Sequence, residues 1–244
     1  MTTYTEDRFL DGKVLVRQPM AGFRSGLDAV MLAAAVPVEA GEECLELGAG
    51  AGAASLCLAQ RAADCRIVGL EIDSALARLA NDNARANGVE ARVQILQGDV
   101  FALPQEFKRT FKHVFSNPPF HDGADGERPS DTARSTALHD DGRFRVWIET
   151  GAKRTASSGT FTVIIRADRL GEALSGLPHR GVTIFPLWPR AQVPAKRVIL
   201  QLRKDLRAPG AVLPGLILHD DDGHFTPEAN AILRCGASLA LSGR

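Results

Sequence analysis

Short apolar runs alternate along this chain with longer stretches in which apolar positions recur every three or four residues. Runs at 43–47, 66–70, 92–96, 111–115 and 160–165 predict strands buried on both faces. Between them, 53–63, 74–87 and 143–155 predict helices. In the second of these Leu76, Leu79, Ala80 and Ala84 share a face, and Gly88 stands at the C′ position. Upstream, 9–16 predicts a hairpin turning at Asp11-Gly12, and 26–35 a helix with Ser25 as N-cap and Pro37 beyond its end. Downstream, Asp168 is expected to cap a helix ending before Gly181. Strands at 182–188 and 197–202 read as an antiparallel pair, and Thr226-Pro227 supplies the N-cap and first-turn proline of a last helix over 228–234.

Strand and helix thus alternate through five strands, and a strand pair closes the series. The expectation is an α/β fold, a doubly wound seven-stranded sheet that is mostly parallel with an antiparallel C-terminal pair. One domain is expected over 1–244, with residues 1–40 as a hairpin-and-helix extension and 41–244 as the sheet core. The polar stretch from His121 to His139 has no apolar period and predicts a long loop, functional or mobile.

Composition narrows the class. A hydrophobic content of 45% supports a sizeable core, and no apolar run approaches the ~20 residues of a membrane span. Residues 1–7 lack the basic and apolar regions of a signal peptide. Cys44, Cys57, Cys65 and Cys235 form no C-x-x-C pair, so buried reduced thiols are expected rather than a metal site, in a cytoplasmic protein. Net charge is zero, yet between Pro178 and Pro209 seven basic side chains face a single acid, Asp205. Arg190, Lys196 and Arg197 belong to that stretch, a candidate phosphate-facing surface.

The candidate chemistry falls at the carboxyl ends of four consecutive predicted strands, the edge on which doubly wound sheets bind ligands. The first runs into Glu46-Leu47-Gly48-Ala49-Gly50-Ala51-Gly52, where glycine lets backbone approach a ligand. Its Gly-x-Gly-x-Gly spacing differs from the Gly-x-Gly-x-x-Gly of dinucleotide binders. Glu71, with Ile72 after it, ends the second strand, where a carboxylate accepts from ribose hydroxyls. Asp99 and Val100 follow the third. The fourth delivers Asn117-Pro118-Pro119-Phe120, whose two prolines stiffen the turn and remove two backbone donors. An amide, free carbonyls and an aromatic ring suit a planar group carrying an NH2.

These ordered motifs resemble those of class I S-adenosylmethionine-dependent methyltransferases that modify exocyclic or amide nitrogens, with their Rossmann-like fold. The flanks Gln18-Pro-Met-Ala-Gly-Phe-Arg-Ser-Gly-Leu-Asp28, Pro194-Ala-Lys-Arg-Val and His224-Phe-Thr-Pro-Glu are similar to the tRNA1(Val) adenine-37 N6 methyltransferases. Residues 116–123 resemble instead the 16S rRNA guanine N2 methyltransferases. The resemblance implies S-adenosyl-L-methionine on Glu46, Gly48, Ala49, Gly50, Gly52, Glu71, Ile72, Asp99, Val100 and Asn117, with Arg24 and Asp28 lining the pocket. A helix-start ion pair is the plainer reading of those last two. It further implies that Asn117 and Pro118 accept the hydrogens of the target NH2, with Pro119 stiffening the turn and Phe120 stacking on the base. Lys196, Arg197, Arg190 and His121 would touch RNA, a tRNA or another structured RNA. Three alternatives stay open: rRNA guanine N2 methylation, protein glutamine N5 methylation, and a nucleotide- or NAD-binding protein without methyl transfer.

Overall fold

A computed structural model describes residues 4–22, 24–119 and 142–241. The chain opens with an antiparallel hairpin, β1 (Tyr4–Phe9) and β2 (Val14–Pro19), turning through Leu10, Asp11 and Gly12 at positive φ. After α1 (Leu27–Ala35) come β3 (Glu43–Leu47), α2 (Ala53–Arg61), β4 (Arg66–Glu71), α3 (Ser74–Ala86), β5 (Val93–Gln97) and β6 (Phe111–Ser116), in the expected alternation. Then follow α4 (Arg143–Arg154), β7 (Thr155–Arg166), α5 (Leu170–Ser175), β8 (Val182–Trp188) and β9 (Arg197–Arg203). Two short strands, β10 (Ala211–Val212) and β11 (Leu216–Ile217), precede α6 (Pro227–Cys235).

The main sheet runs β8-β9-β7-β6-β3-β4-β5. Neighbours from β7 to β5 are parallel, and β9 lies antiparallel between β7 and β8. To the expected seven strands the structure adds β10 and β11, both parallel to the outer edge of β8. Alternate strand residues feed two apolar layers. Cys44 and Phe115 pack toward α1, α2, α3 and α6, whereas Leu45, Val114 and Phe161 pack toward α4 and α5. Helices on both faces explain why the central strands read as unbroken apolar runs.

Local expectations changed where neighbours fixed the chain differently. α1 has Gly26 at its cap position and no side-chain cap, which leaves Ser25 one residue too early; the Ser25 backbone is held instead by Gln18, its N–H donating to Oε1 at 2.7 Å and its carbonyl accepting from Nε2 at 3.0 Å. Asp168 pairs with Arg166 at 2.5 Å, and α5 begins after Arg169. β7 starts at Thr155, which pairs with Phe111 before an irregularity resets the register to His113 opposite Thr160. Thr226 caps α6 as expected, its Oγ1 accepting from the Ala229 N–H at 3.2 Å. Cys44, Cys57 and Cys65 are buried, and Cys235 is exposed. No helix among the described residues is long and apolar enough to cross a membrane.

The hairpin is attached through side chains. Asn87 accepts from the Leu15 N–H and donates to its carbonyl, at 2.9 and 2.7 Å, and Asn83 does the same for Arg17, both at 3.0 Å. Two amides thus stand in for a neighbouring strand along the edge of β2. Asn83 also donates to the Ala51 carbonyl at 2.9 Å, which ties the hairpin to the glycine-rich loop.

At the amino end of the sheet, buried His113 sits between Thr160 Oγ1 and Glu42 Oε2, each 2.8 Å away. Burial lowers the His113 pKa below 6.5, against the pull of Glu42. Burial works to raise Glu42, but the Glu39 N–H and His113 together hold it below 4.5. In both cases the unfolded chain binds the proton more readily. The stability that these two groups contribute is therefore fully present above about pH 6.5 and is lost on acidification, first through His113 and then, below about pH 4.5, through Glu42. Denaturant melts at pH 7 and pH 5 should show this loss, and His113→Gln should be less stable at pH 7 but with a flatter dependence between the two. An equal slope in the variant would assign the acid sensitivity to other groups.

Candidate active site

Strand register brings the predicted site residues to one edge. Leu47 lies opposite both Leu70 and Ser116, and Glu71 lies opposite Gln97. The next residues along each strand, Gly48, Ile72, Gly98 and Asn117, therefore leave the sheet together, with adjacent strands about 4.8 Å apart.

The loop after β3 is shaped by backbone bonds and by what crowds it. The Gly48 and Ala49 N–H groups both donate to the Leu70 carbonyl, at 2.8 and 3.0 Å. Gly48 has φ +71°, and a Cβ there would lie 2.8 Å from Trp147 Cζ2. Gly50, at φ +56°, has nothing within 4 Å of an added Cβ, so its Cα borders open space. Its N–H donates to Glu71 Oε2 at 2.8 Å, while Glu71 Oε1 accepts from the Asp73 N–H at 2.9 Å. Gly52 packs on Ala80 and precedes α2. Behind the loop, Glu46 is buried and accepts from both the backbone N–H and the hydroxyl of Ser55. Burial pushes its carboxyl up to about 8 despite those bonds, and the Glu71 carboxylate adds to the rise.

The turn after β6 is held from below. Ser116 Oγ donates to the Leu47 carbonyl at 2.7 Å and accepts from the Trp147 indole N–H at 2.9 Å. Pro118 is buried and Pro119 exposed. Asn117 Oδ1 is buried and has no hydrogen-bond partner among the described residues. A buried acceptor without a donor costs about 1–3 kcal/mol, which a ligand N–H would recover.

Beside the glycine-rich loop, Ile72 is 62% exposed and Phe101 37%, two large apolar side chains on the ligand edge. The Phe101 ring meets Trp147 edge-on at 5.8 Å, and the Arg143 guanidinium lies over it at 4.5 Å. Asp99 caps its own turn, accepting from the Phe101 N–H at 2.9 Å, and Val100 is buried. Sequence reasoning missed Trp147 and Phe101. The spacing of Phe144, Trp147, Ile148 and Gly151 marks a buried face of α4 but not what that face touches.

Arg24 and Asp28 are both ion-paired, though not with each other: Arg24 with Asp7 at 2.6 Å, Asp28 with Arg197 at 2.8 Å. The second pair ties the start of α1 to the start of β9. The basic stretch divides between two edges. Lys196 and Arg197 flank the carboxyl edge of the parallel strands, and Arg190 follows β8 there, because β8 runs parallel to β7. Arg180, Arg203, Lys204 and Arg207 lie at the opposite edge, where Lys204 Nζ donates to the Thr155 carbonyl at 2.6 Å and Arg180 to that of Arg207 at 3.0 Å. Phe120, His121 and the expected loop as far as His139 lie outside the described residues. No group of three or more potential metal ligands occurs among the described residues.

Residues 26–156 match the family model of the methyltransferase small domain. A tRNA1(Val) (adenine(37)-N6)-methyltransferase of Yersinia enterocolitica is 30% identical over 227 residues, covering 89% of this chain and 87% of the relative. Another of that name, from Aeromonas hydrophila, is also 30% identical and covers 82% of this chain and 84% of the relative. Among solved structures, an Agrobacterium tumefaciens protein described as a predicted O-methyltransferase superposes with a TM-score of 0.73 at 26% identity, covering 87% of this chain and 98% of that one.

Proposed function

We propose, for a chain that belongs to the methyltransferase small domain family and within it to the tRNA1(Val) (adenine(37)-N6)-methyltransferases, that it methylates the exocyclic nitrogen of an unpaired adenine in tRNA with S-adenosyl-L-methionine. The observation that carries the reading is Asn117 Oδ1, without a partner among the described residues and buried one strand away from a glycine loop with open space at Gly50. The cofactor, when bound, supplies an electrophilic methyl on a sulfonium.

The chain's residues do the rest. Glu71 uses one lone pair of each oxygen on backbone N–H groups and keeps the others for the ribose hydroxyls. Ile72 and Phe101 offer apolar surface to the cofactor's base, and Asp99 a carboxylate to its amino group. Asn117 Oδ1 and the Pro118 carbonyl accept the two hydrogens of the target NH2. Its lone pair, delocalised into the ring, then localises as the nitrogen turns tetrahedral, and positive charge developing there meets two fixed dipoles. No strong base is required, because the methylated cation is itself acidic. This favours nitrogen over oxygen as acceptor, since a hydroxyl has one hydrogen to place between two acceptors.

Mass spectrometry of nucleosides from deletion and parent cells tests the assignment. N6-methyladenosine should disappear from tRNA1(Val). Loss of N2-methylguanosine from rRNA, or of methylglutamine from a protein, would transfer the activity to that substrate. Replacing Arg190 and Lys196 by glutamine should reduce the salt slope of RNA binding by about 1.4, at ~0.7 per neutralised phosphate contact on a single strand. Arg197 is unsuited to that test because Asp28 already holds it.

A further inference from the structure

Farther along the ligand edge, a cavity of about 810 Å³ opens beside β8. β8 and β7 are each antiparallel to β9, and β7 is parallel to β6, so Trp188 at the end of β8 emerges on the same edge as Asn117. Three strand intervals separate β6 from β8, on the order of 14 Å. The cavity is walled by Trp188, Val193, Pro194, Pro214 and Ile217, with Glu228 at its margin. Val193 and Ile217 are 38% and 39% exposed. The indole is fixed in place, its N–H donating to the Pro214 carbonyl at 2.9 Å. The adjoining Gly215 has φ +83°, and a Cβ there would lie 2.3 Å from the Pro186 carbonyl and 2.7 Å from the indole nitrogen. Exposed Arg190 and Lys196 stand at either end of the 190–196 segment, and neither side chain has a hydrogen bond or ion pair among the described residues. Glu228, in the first turn of α6, likewise has no ion pair among the described residues.

A rigid aromatic and proline-walled slot flanked by two cations matches a nucleobase with its phosphates: stacking surface within, charge for the backbone at the rim. We propose that this groove binds a second unpaired nucleotide of the RNA substrate, a near neighbour in the chain of the base at Asn117. Glu228 would accept from an amino or imino hydrogen of that nucleotide's base. The groove would thus fix the loop of the RNA at two points on one edge. The inference rests on the RNA reading above.

The test uses the full chain and an unmodified tRNA1(Val) transcript. Val193→Glu places a carboxylate on an exposed wall without disturbing the sheet, and Trp188→Ala removes the stacking surface. Each should raise KM for the transcript about ten-fold or more, with kcat and S-adenosylhomocysteine affinity within about two-fold of the parent. Transcripts with an abasic nucleotide at each position around the target adenine supply the readout that a structural defect would not move. One such position should raise KM for the parent enzyme by a similar factor and raise it no further for Val193→Glu. If the parent methylates the transcript and Val193→Glu matches it, the groove assignment falls alone. Losses that multiply at every abasic position overturn it too, as does a dimer dispersed by Val193→Glu with KM unchanged. If the parent methylates no tRNA, the tRNA reading on which the groove assignment rests has failed, and the assignment with it.

Discussion

Asn117→Ala is expected to lower kcat by at least about 10²–10³-fold, the range seen when one preorganised group is removed from a transition state. S-adenosylhomocysteine should still bind. The separation follows from geometry: Asn117 Oδ1 has no partner within the described protein, so its loss removes no internal hydrogen bond. Ser116 and Trp147 hold the turn from beneath through bonds that the substitution leaves intact. Asn117→Asp keeps an acceptor at Oδ1 and should retain measurable turnover. Single-turnover methyl transfer with calorimetry of S-adenosylhomocysteine reads both effects. Near-parental turnover in Asn117→Ala would remove the turn from the chemistry.

The glycine loop gives the second large effect, and it separates two glycines of similar backbone conformation. Gly48→Ala pushes a Cβ to 2.8 Å from Trp147 Cζ2 at φ +71°. Crowding and a left-handed side chain together cost about 2–4 kcal/mol of stability. Because Trp147 also holds Ser116, the displacement should reach the turn at Asn117 and depress kcat. Gly50→Ala meets nothing, so its cost is the left-handed strain alone, about 1–2 kcal/mol. Its methyl enters the open space proposed for the cofactor, so S-adenosylhomocysteine affinity should drop by at least ~10-fold. Melting temperatures and calorimetry on the two variants decide it. Equal affinity losses at equal stability would place the cofactor elsewhere.

Much of this was legible in the sequence because the central strands are buried on both faces and announce themselves as apolar runs. The turns after them were legible for another reason: glycine, acid and diproline are rare in such company. What was not legible depends on partners distant in the chain. Trp147 shows a buried face of α4 but not that its indole fills the space Gly48 leaves. Ser25 has the chemistry of an N-cap, yet Gln18 clamps its backbone from 7 residues away and the helix starts one residue later, after Gly26. Arg24 and Asp28 are charged neighbours in sequence that chose Asp7 and Arg197. The basic stretch summed charges along an antiparallel pair whose two ends face opposite edges, so one count described two surfaces. β10 and β11, two residues each, are too short to show a period.

The two asparagines along β2 carry a further consequence for anyone wishing to trim this enzyme. The span matched by the family model starts at residue 26 and so excludes the hairpin. Excised there, the protein would uncover the apolar surface that Val14 and Val16 now help to bury, and would open Asn83, otherwise almost wholly enclosed, to water with the Ala51 carbonyl as its remaining side-chain partner. A minimal catalytic fragment must therefore begin upstream of β1.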